Sequence, residues 1–565
     1  MATRLIATTP SAYDYPLLIK QLLLTPMAHS ADQEIVYADI SRYTYRTLRD
    51  RIGRLASGLA GLGVKPGQTV AIMDWDTPRY LECYFAVPMM GAIMQMVNVK
   101  LSPDQILYTL NHAQADVLLV NAEFLPLLES FADQLETVRT LILLSDDAAS
   151  PSSRLAFNAE YENLLANASP SFAFPDFDEN TCATVFYTTG TTGNPKGVSF
   201  SHRQLVLHTL ATAVALGSAC SNGQLRRDDV YMPLTPMFHV HAWGLPYIAT
   251  MLGVKQVYPG AYHPERLCRL IRTENVTFSH CVPTVLHLIL NHAHSHETDL
   301  SALKLVIGGS ALPPAMASAA QKRGIDVFGG YGMSETCPIL TIAHLDPHDA
   351  AAPPEIQTAL RAKAGIPIPL VEVRVVDENM NDLPRDGMSA GEVVVRSPWL
   401  TQSYMHDPEA SETLWEGGYL HTGDIGHIDA KGYLQVTDRA KDVIKTAGEW
   451  TSSLQLESVL LEHPAVHEVA VVAESDEKWG ERPLALVHLK PEHEGKTTAA
   501  VLRKHVARRA DKGGLSRFAM LVDIVFVEAL LKTSVGKTNK REMRNQISTH
   551  RQDGNRRVPI KFTQG

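Results

Sequence analysis

The stretch TVFYTTGTTGNPKGVSFSH, residues 184 to 202, runs an apolar strand into a loop of small, hydroxylated and glycine residues that ends in Lys196. Backbone N–H groups and hydroxyls in such a loop can wrap phosphate oxygens, and glycines let the chain turn without steric penalty. Thr188, Thr189, Gly190, Thr191, Thr192 and Lys196 are therefore candidate ligands for an anion. A loop of the GxxxxGK[ST] kind is excluded, because a match starting at Gly190 would need glycine where Pro195 stands. A bare TTG tripeptide would read as a surface turn; strand, loop and lysine in this order favour an anion cradle. The six cysteines, Cys83, Cys182, Cys220, Cys268, Cys281 and Cys337, have no CxxC or Cys/His ligand spacing and read as reduced core thiols.

The full string resembles the signature of the adenylate-forming synthetases, the AMP-binding family of acyl- and aryl-CoA ligases, luciferases and peptide-synthetase adenylation domains. The resemblance covers nearly the whole chain. Further family motifs follow in order as PMFHVHAWG (236 to 244), GGSALP (308 to 313), GGYGMSETCP (329 to 338), YLHTGD (419 to 424), DRAKDVIKTAGEW (438 to 450) and KTSVGKTNK (532 to 540). The implied reaction activates a carboxylic acid as its acyl-adenylate and passes the acyl group to coenzyme A. ATP and CoA are then co-substrates and Mg²⁺ the cofactor.

Carried over residue by residue, the resemblance makes Tyr331 the adenine-stacking aromatic, beside a turn at Gly308, Gly309 and Ser310 that admits a flat base. Gly330, Gly332, Met333 and Ser334 complete the nucleotide segment. Asp424 would accept hydrogen bonds from the ribose hydroxyls, with Arg439 as a donor on the other side. Glu335 matches the Mg²⁺-associated carboxylate, with Thr188 as second oxygen ligand. Outside their motifs, Asp424 and Glu335 would read as solvated or capping carboxylates. His239 and Val240 fall in the acyl pocket between the acid and the α-phosphate, with no acid–base duty because the carboxylate is already ionised. Trp243 and Gly308 would line the same pocket, although Trp243 also reads as an ordinary core aromatic.

Lys537 matches the catalytic lysine, a cation for the charge developing on the α-phosphate. Lys540, at the tail of that motif, reads as a surface charge. Lys441 matches a hinge about which the C-terminal domain rotates, exchanging Lys537 for a loop of Lys445, Gly448, Glu449 and Trp450 that would line the path of CoA. Acetate-type enzymes carry arginine where Trp450 stands, so an apolar or stacking role suits it better. GEW and FHVHAWGLPY look like medium-chain fatty acid and methylthiopropionate-type ligases, which makes a medium-chain aliphatic acid the expected substrate. A free-standing enzyme that loads a carrier protein and a luciferase-like oxidoreductase would share these ATP motifs. A non-catalytic paralogue would be expected to lack Lys537, Glu335 or the Thr188 loop, and all are present.

The elements that must position these residues follow from periodicity. Leu48, Ile52, Leu55 and Leu59 repeat at helical spacing, and Gly63, Pro66 and Gly67 break the pattern before the apolar strand Thr69 to Met73. Helical stretches at Tyr80 to Met90 and Ser102 to His112, with Ser102 as N-cap, alternate with a strand at Asp116 to Val120. Short apolar runs at 254 to 257, 276 to 280, 305 to 307 and 326 to 328 repeat the rhythm, and ligands are expected near such strand ends. From about residue 370 the runs VEVRVVDE, GEVVVRS and GYLQVTD, punctuated by Asp386-Gly387 and Lys431-Gly432, are β-rich. Helices and strands return past Asp438, placing a domain boundary near Arg439 to Lys441. The expected fold is α/β: a large N-terminal domain, residues 1–440, with parallel α/β layers and a β-rich subdomain, and a small mobile α+β C-terminal domain, residues 441–565.

A chain of 565 residues exceeds what one core usually supports, and 45% hydrophobic with 20% charged residues is an ordinary globular balance. A net charge of -10 argues against a nucleic-acid partner. No basic, apolar leader and no bilayer-length apolar run is evident, so a cytoplasmic location is expected. Oligomeric state, a homodimer included, is left open.

Overall fold

The computed structural model describes residues 5–552 apart from 148–151, 189–193, 221–222, 296, 447–448, 477, 511–516 and 533–537. A large N-terminal α/β domain carries two extended sheets that are parallel in their interiors, and a smaller domain follows at the C-terminus.

In the seven-stranded sheet, Thr69–Met73 lies between Ala115–Asn121 and Ile93–Met96, and Ile93–Met96 pairs with Cys182–Thr188, all parallel. Every residue of Thr69–Met73 is buried. Helices cover both faces of such a sheet, and the strand's unbroken apolar run follows from that. Tyr45–Gly61 packs beside the helix Pro78–Met89, and its Leu48, Ile52, Leu55 and Leu59 are all fully buried at helical spacing. Helix starts are fixed locally: Ser102 and Ser201 each form a capping box, with Gln105 and Gln204.

The nine-stranded sheet has Phe278–Cys281, Lys304–Ile307 and Asp326–Gly332 as parallel neighbours, with antiparallel strands at both edges. Next in sequence comes a four-stranded antiparallel sheet, Glu372–Val376, Gly391–Arg396, Leu420–Ile428 and Leu434–Arg439. Gly387 and Gly432 take positive φ at its turns.

One hydrophobic core runs from Ile19 to Leu434. Beyond it, Val466–Asp476 and Gly480–Leu489 form a long antiparallel pair whose alternate residues face two further cores. Val469, Val471, Ala485 and Val487 point into one, Ala470, Val472, Leu484 and Leu486 into the other. All six cysteines are free, but only Cys83, Cys268, Cys281 and Cys337 are buried; Cys220 is exposed and Cys182 half-buried, which corrects the reading of all six as core thiols.

Candidate active site

The parallel strands Lys304–Ile307 and Asp326–Gly332 release Gly308–Ser310 and the segment after Gly332 at neighbouring carboxyl ends, where open α/β sheets bind ligands. Gly308 is buried, Gly309 half-buried with φ of +76°, and Ser310 exposed. Tyr331 is half-buried, and its hydroxyl donates to Asp424 Oδ2 at 2.8 Å. Burial, then the Asp424 carboxylate, push this phenol far above its ordinary pKa, so it stays a donor. Asp424 and Arg439 are directly opposed on neighbouring strands, and Arg439 Nε lies 3.4 Å from Asp424 Oδ1. This carboxylate, only 6% exposed, is held from two sides. Glu392 supports the approach: its carboxylate meets His421 Nδ1 at 3.0 Å and accepts from Gly423 N at 3.2 Å. At Gly332 a Cβ would fall 1.8 Å from the Pro338 carbonyl oxygen, so only glycine fits.

At the strand end that opens the threonine loop, Thr188 closes Cys182–Thr188 and pairs across the ladder with Lys196. Thr189, Gly190, Thr191 and Thr192 lie outside the described residues. The Lys196 ammonium sits 4.5 Å from the centroid of the Tyr404 ring and 3.5 Å from Asp407 Oδ2. Tyr404 in turn donates its hydroxyl to Glu335 Oε1 at 2.8 Å. Thr188 and Glu335 are thereby joined through Lys196 and Tyr404. A cleft of about 730 Å³ opens here, lined by Lys196, Met333, Tyr404, Thr422 and Gly423, with carboxylates of Glu392, Asp407, Glu409 and Glu416 also on its walls. Ser334 follows Met333, half-buried, at the start of the short turn that carries buried Glu335.

The PMFHVHAWG segment forms a left-handed turn. Val240, His241, Ala242, Trp243 and Gly244 have φ of +41°, +60°, +46°, +59° and +76°, a run that L-residues adopt only under constraint. The constraints are visible on either side. Asp76 Oδ1 accepts from Met237 N at 2.8 Å while Oδ2 accepts from the Tyr262 hydroxyl at 2.5 Å, and burial pushes the Asp76 carboxyl up to about 7. His241, fully buried, shares a 2.8 Å hydrogen bond with Thr184 Oγ1 on the strand that leads to Thr188; burial, then His208, push its imidazole down to about 3. His239 stands half-buried at the entrance of the turn, and Val240 and Trp243 are buried. The Trp243 ring closes against Gly308, where a Cβ would lie 3.0 Å from both Trp243 Cη2 and the Gly330 carbonyl oxygen. The Trp243 turn and the strand that carries Gly330 and Tyr331 therefore meet at Gly308.

Beyond Arg439, exposed Lys441 is followed by a hairpin in which Lys445 faces Trp450 and Thr446 faces Glu449. Gly448 and Lys537 lie outside the described residues. Lys540 corrects the sequence reading: it is no surface charge, because its side chain is 10% exposed and its ammonium pairs with Glu457 Oε1 at 2.7 Å. Asp76, His241, Glu392 and Tyr404 carry contacts that the sequence reading did not single out.

Two profiles match the chain: AMP-binding enzyme over residues 25–405 and AMP-binding enzyme C-terminal domain over 455–537. A long-chain-fatty-acid–CoA ligase of Thermus thermophilus is 41% identical over 515 residues, 91% of each chain. A 3-methylmercaptopropionyl-CoA ligase of Ruegeria lacuscaerulensis is 37% identical, covering 94% of this chain and 97% of its own. Among solved structures, the anthranilate CoA ligase AuaEII in complex with anthranoyl-AMP superposes with a TM-score of 0.81 at 25% identity, over 94% of this chain and 98% of that one. The chain belongs to the AMP-binding enzyme family, among its AMP-forming CoA ligases.

Proposed function

We propose that the protein is an acyl-CoA synthetase for medium-chain aliphatic carboxylic acids. In the first half-reaction a carboxylate oxygen bonds to the α-phosphorus of ATP and the bond to diphosphate breaks. In the second, the CoA sulfur bonds to the acyl carbon, the thiol proton passes to solvent, and AMP leaves. The observation that carries the reading is the joining of two half-sites at Gly308: the Tyr331–Asp424–Arg439 group on one side and the Trp243 turn on the other.

In this reading Asp424 accepts from the ribose hydroxyls, Arg439 and Tyr331 hold that carboxylate in place, and the Tyr331 ring offers a face to adenine. Lys196 and the threonine loop carry the polyphosphate, and Lys537 meets the charge that develops at the α-phosphate. The domain boundary falls at Lys441, so that residues 441–565 present first Lys537 and then the hairpin of Lys445, Gly448, Glu449 and Trp450, which lines the CoA path.

Glu335 and Thr188 fit Mg²⁺ by the chemistry of their donor set, a carboxylate and a hydroxyl joined through Lys196 and Tyr404. When bound, the ion offsets charge on the phosphate oxygens.

The substrate class rests on the turn. Val240, Ala242 and Trp243 are buried and apolar, which suits an alkyl chain and gives an amino acid no charge partner. The two relatives named above act on a long-chain acid and on a short thioether acid by their names, so identity alone does not choose between lengths. Short thioether and arylalkanoic acids are the runners-up. Free thiols throughout suit a reducing cytoplasm, and among the described residues no helix is long and apolar enough to cross a membrane. The test is ATP–diphosphate exchange over short, medium, long and aryl acids, with products identified with and without CoA. AMP and diphosphate with the highest kcat/KM on medium-chain acids is expected. ADP release would overturn the reaction, and acetate or an amino acid as best substrate would overturn the pocket reading.

A further inference from the structure

The helix Lys540–Gln552 begins immediately after the segment that carries Lys537, and its first turn is tied to both flanks of the hinge. Lys540 and Arg544, four positions apart and so on one helical face, are the two ties. The Lys540 ammonium pairs with Glu457 Oε1 at 2.7 Å and donates to Ser453 Oγ. Ser453 donates through Oγ to Asp438 Oδ1 at 3.0 Å and through its backbone N to Asp438 Oδ2 at 2.6 Å. Asp438 is the residue before Arg439, the partner of Asp424. Arg544 Nη1 lies 2.6 Å from Asp442 Oδ1 and donates to the Lys441 carbonyl at 3.3 Å.

The other side of the same helix start is closed as well. Lys532 and Thr538 form an antiparallel bridge, Asn539 N donates to Leu531 O at 2.8 Å, and Asn539 Oδ1 accepts from Glu542 N at 3.2 Å. The base of the segment that carries Lys537 is thus fixed to the helix, and the helix is fixed to the hinge. The Glu457 side chain is 14% exposed, its Oε1 also accepts from Val471 N at 2.7 Å, and burial pushes its carboxyl up while the Lys540 ammonium pulls it down.

We propose that Lys540 is a positioning residue for adenylate formation: it fixes the base of the Lys537 segment to the strand that ends in Arg439, through Ser453 and Asp438. The inference rests on the reading of Lys537 as the adenylation cation. It predicts a loss confined to one half-reaction, because thioester formation from a supplied acyl-adenylate does not use Lys537.

The experiment measures single-turnover adenylation from ATP, and thioester formation from supplied acyl-adenylate, on the full-length enzyme with melting temperatures alongside. Lys540→Met should lower the adenylation rate by about 10²-fold, the scale of a misplaced reacting group, and leave KM for ATP and the thioester step within about twofold of wild type. Lys540→Arg should restore most of the rate. Lys540→Met combined with Glu457→Met removes both partly buried charges and should regain stability without regaining adenylation. Recovery of adenylation together with stability in that double variant would show a purely structural role and overturn the proposal, as would equal loss in both half-reactions. Lys537→Ala separates the two readings: normal adenylation by that variant would overturn the role of Lys537 and this inference with it. Its loss beside an unaffected Lys540→Met would overturn the inference alone.

Discussion

At the scale of single residues the site depends on side chains whose partners are far away in sequence. Asp424 illustrates the energetics. Replacing it by alanine removes the acceptor proposed for the ribose diol and leaves Tyr331 and Arg439 without their shared partner. Hydrogen bonds to a charged group contribute about 1.5–3 kcal/mol each, so Asp424→Ala should raise KM for ATP or lower kcat/KM by about 10–150-fold. Steady-state kinetics with ATP varied measures this, and an unchanged kcat/KM would remove Asp424 from the nucleotide site. Asp424, Glu335 and Tyr331 were legible only through their motifs, since each taken alone is an unremarkable acid or aromatic. Asp76, His241 and Tyr404 were not legible: their partners lie 161, 57 and 69 positions away, and no local pattern marks a residue for such a contact. Lys540 was misread for the same reason, its hydroxyl partner being 87 positions distant.

At the scale of elements, what could be read followed the strength of local signals. The helix start at Ser102 and the strand of continuous apolar residues Thr69–Met73 fell where their chemistry indicated. The left-handed turn did not, because Val240 and Trp243 are residues that positive φ disfavours and only tertiary contacts hold them there. His241 is one such contact, and it gives the turn a pH signature. The folded imidazole titrates at about 3, against an ordinary value near 6.5. As pH falls through about 6.5 the unfolded chain takes up a proton that the folded one refuses, so stability contributed by the neutral ring is lost from there down to about pH 3. In His241→Gln that dependence is absent. The stability difference between wild type and variant should therefore be greatest at pH 7–8 and shrink by up to about 1.4 kcal/mol per pH unit below about 6.5. Urea unfolding of both proteins at pH 7.5 and 5.5 checks this; a difference that does not change with pH would rule out this imidazole as the titrating group.

At the scale of the whole molecule, the cores are separate. The N-terminal core ends at Leu434, and the C-terminal cores begin at Ile444. Among the described residues one cluster of side chains spans the interval at Asp438, Asp442, Ser453, Lys540 and Arg544, and a second contact sets the His287 ring against that of His467, centroids 5.3 Å apart. The change of texture past Asp438 led to a domain boundary being expected near Arg439 to Lys441, but gave no sign that the last helix reaches back to Lys441 and Asp442, because ion pairs across a fold leave no periodicity. With independent cores, the peptide between them acts as a tether: it sets the local concentration at which the C-terminal body meets the site, about millimolar for a short connection. Cutting the chain between Ala440 and Lys441 would turn that fixed value into an adjustable one. Adenylation by the two pieces should then rise with the amount of C-terminal piece added, and reach the intact rate only near millimolar. A titration that saturated at micromolar amounts would mean that the clustered ion pairs, and not the peptide bond, hold the two bodies together.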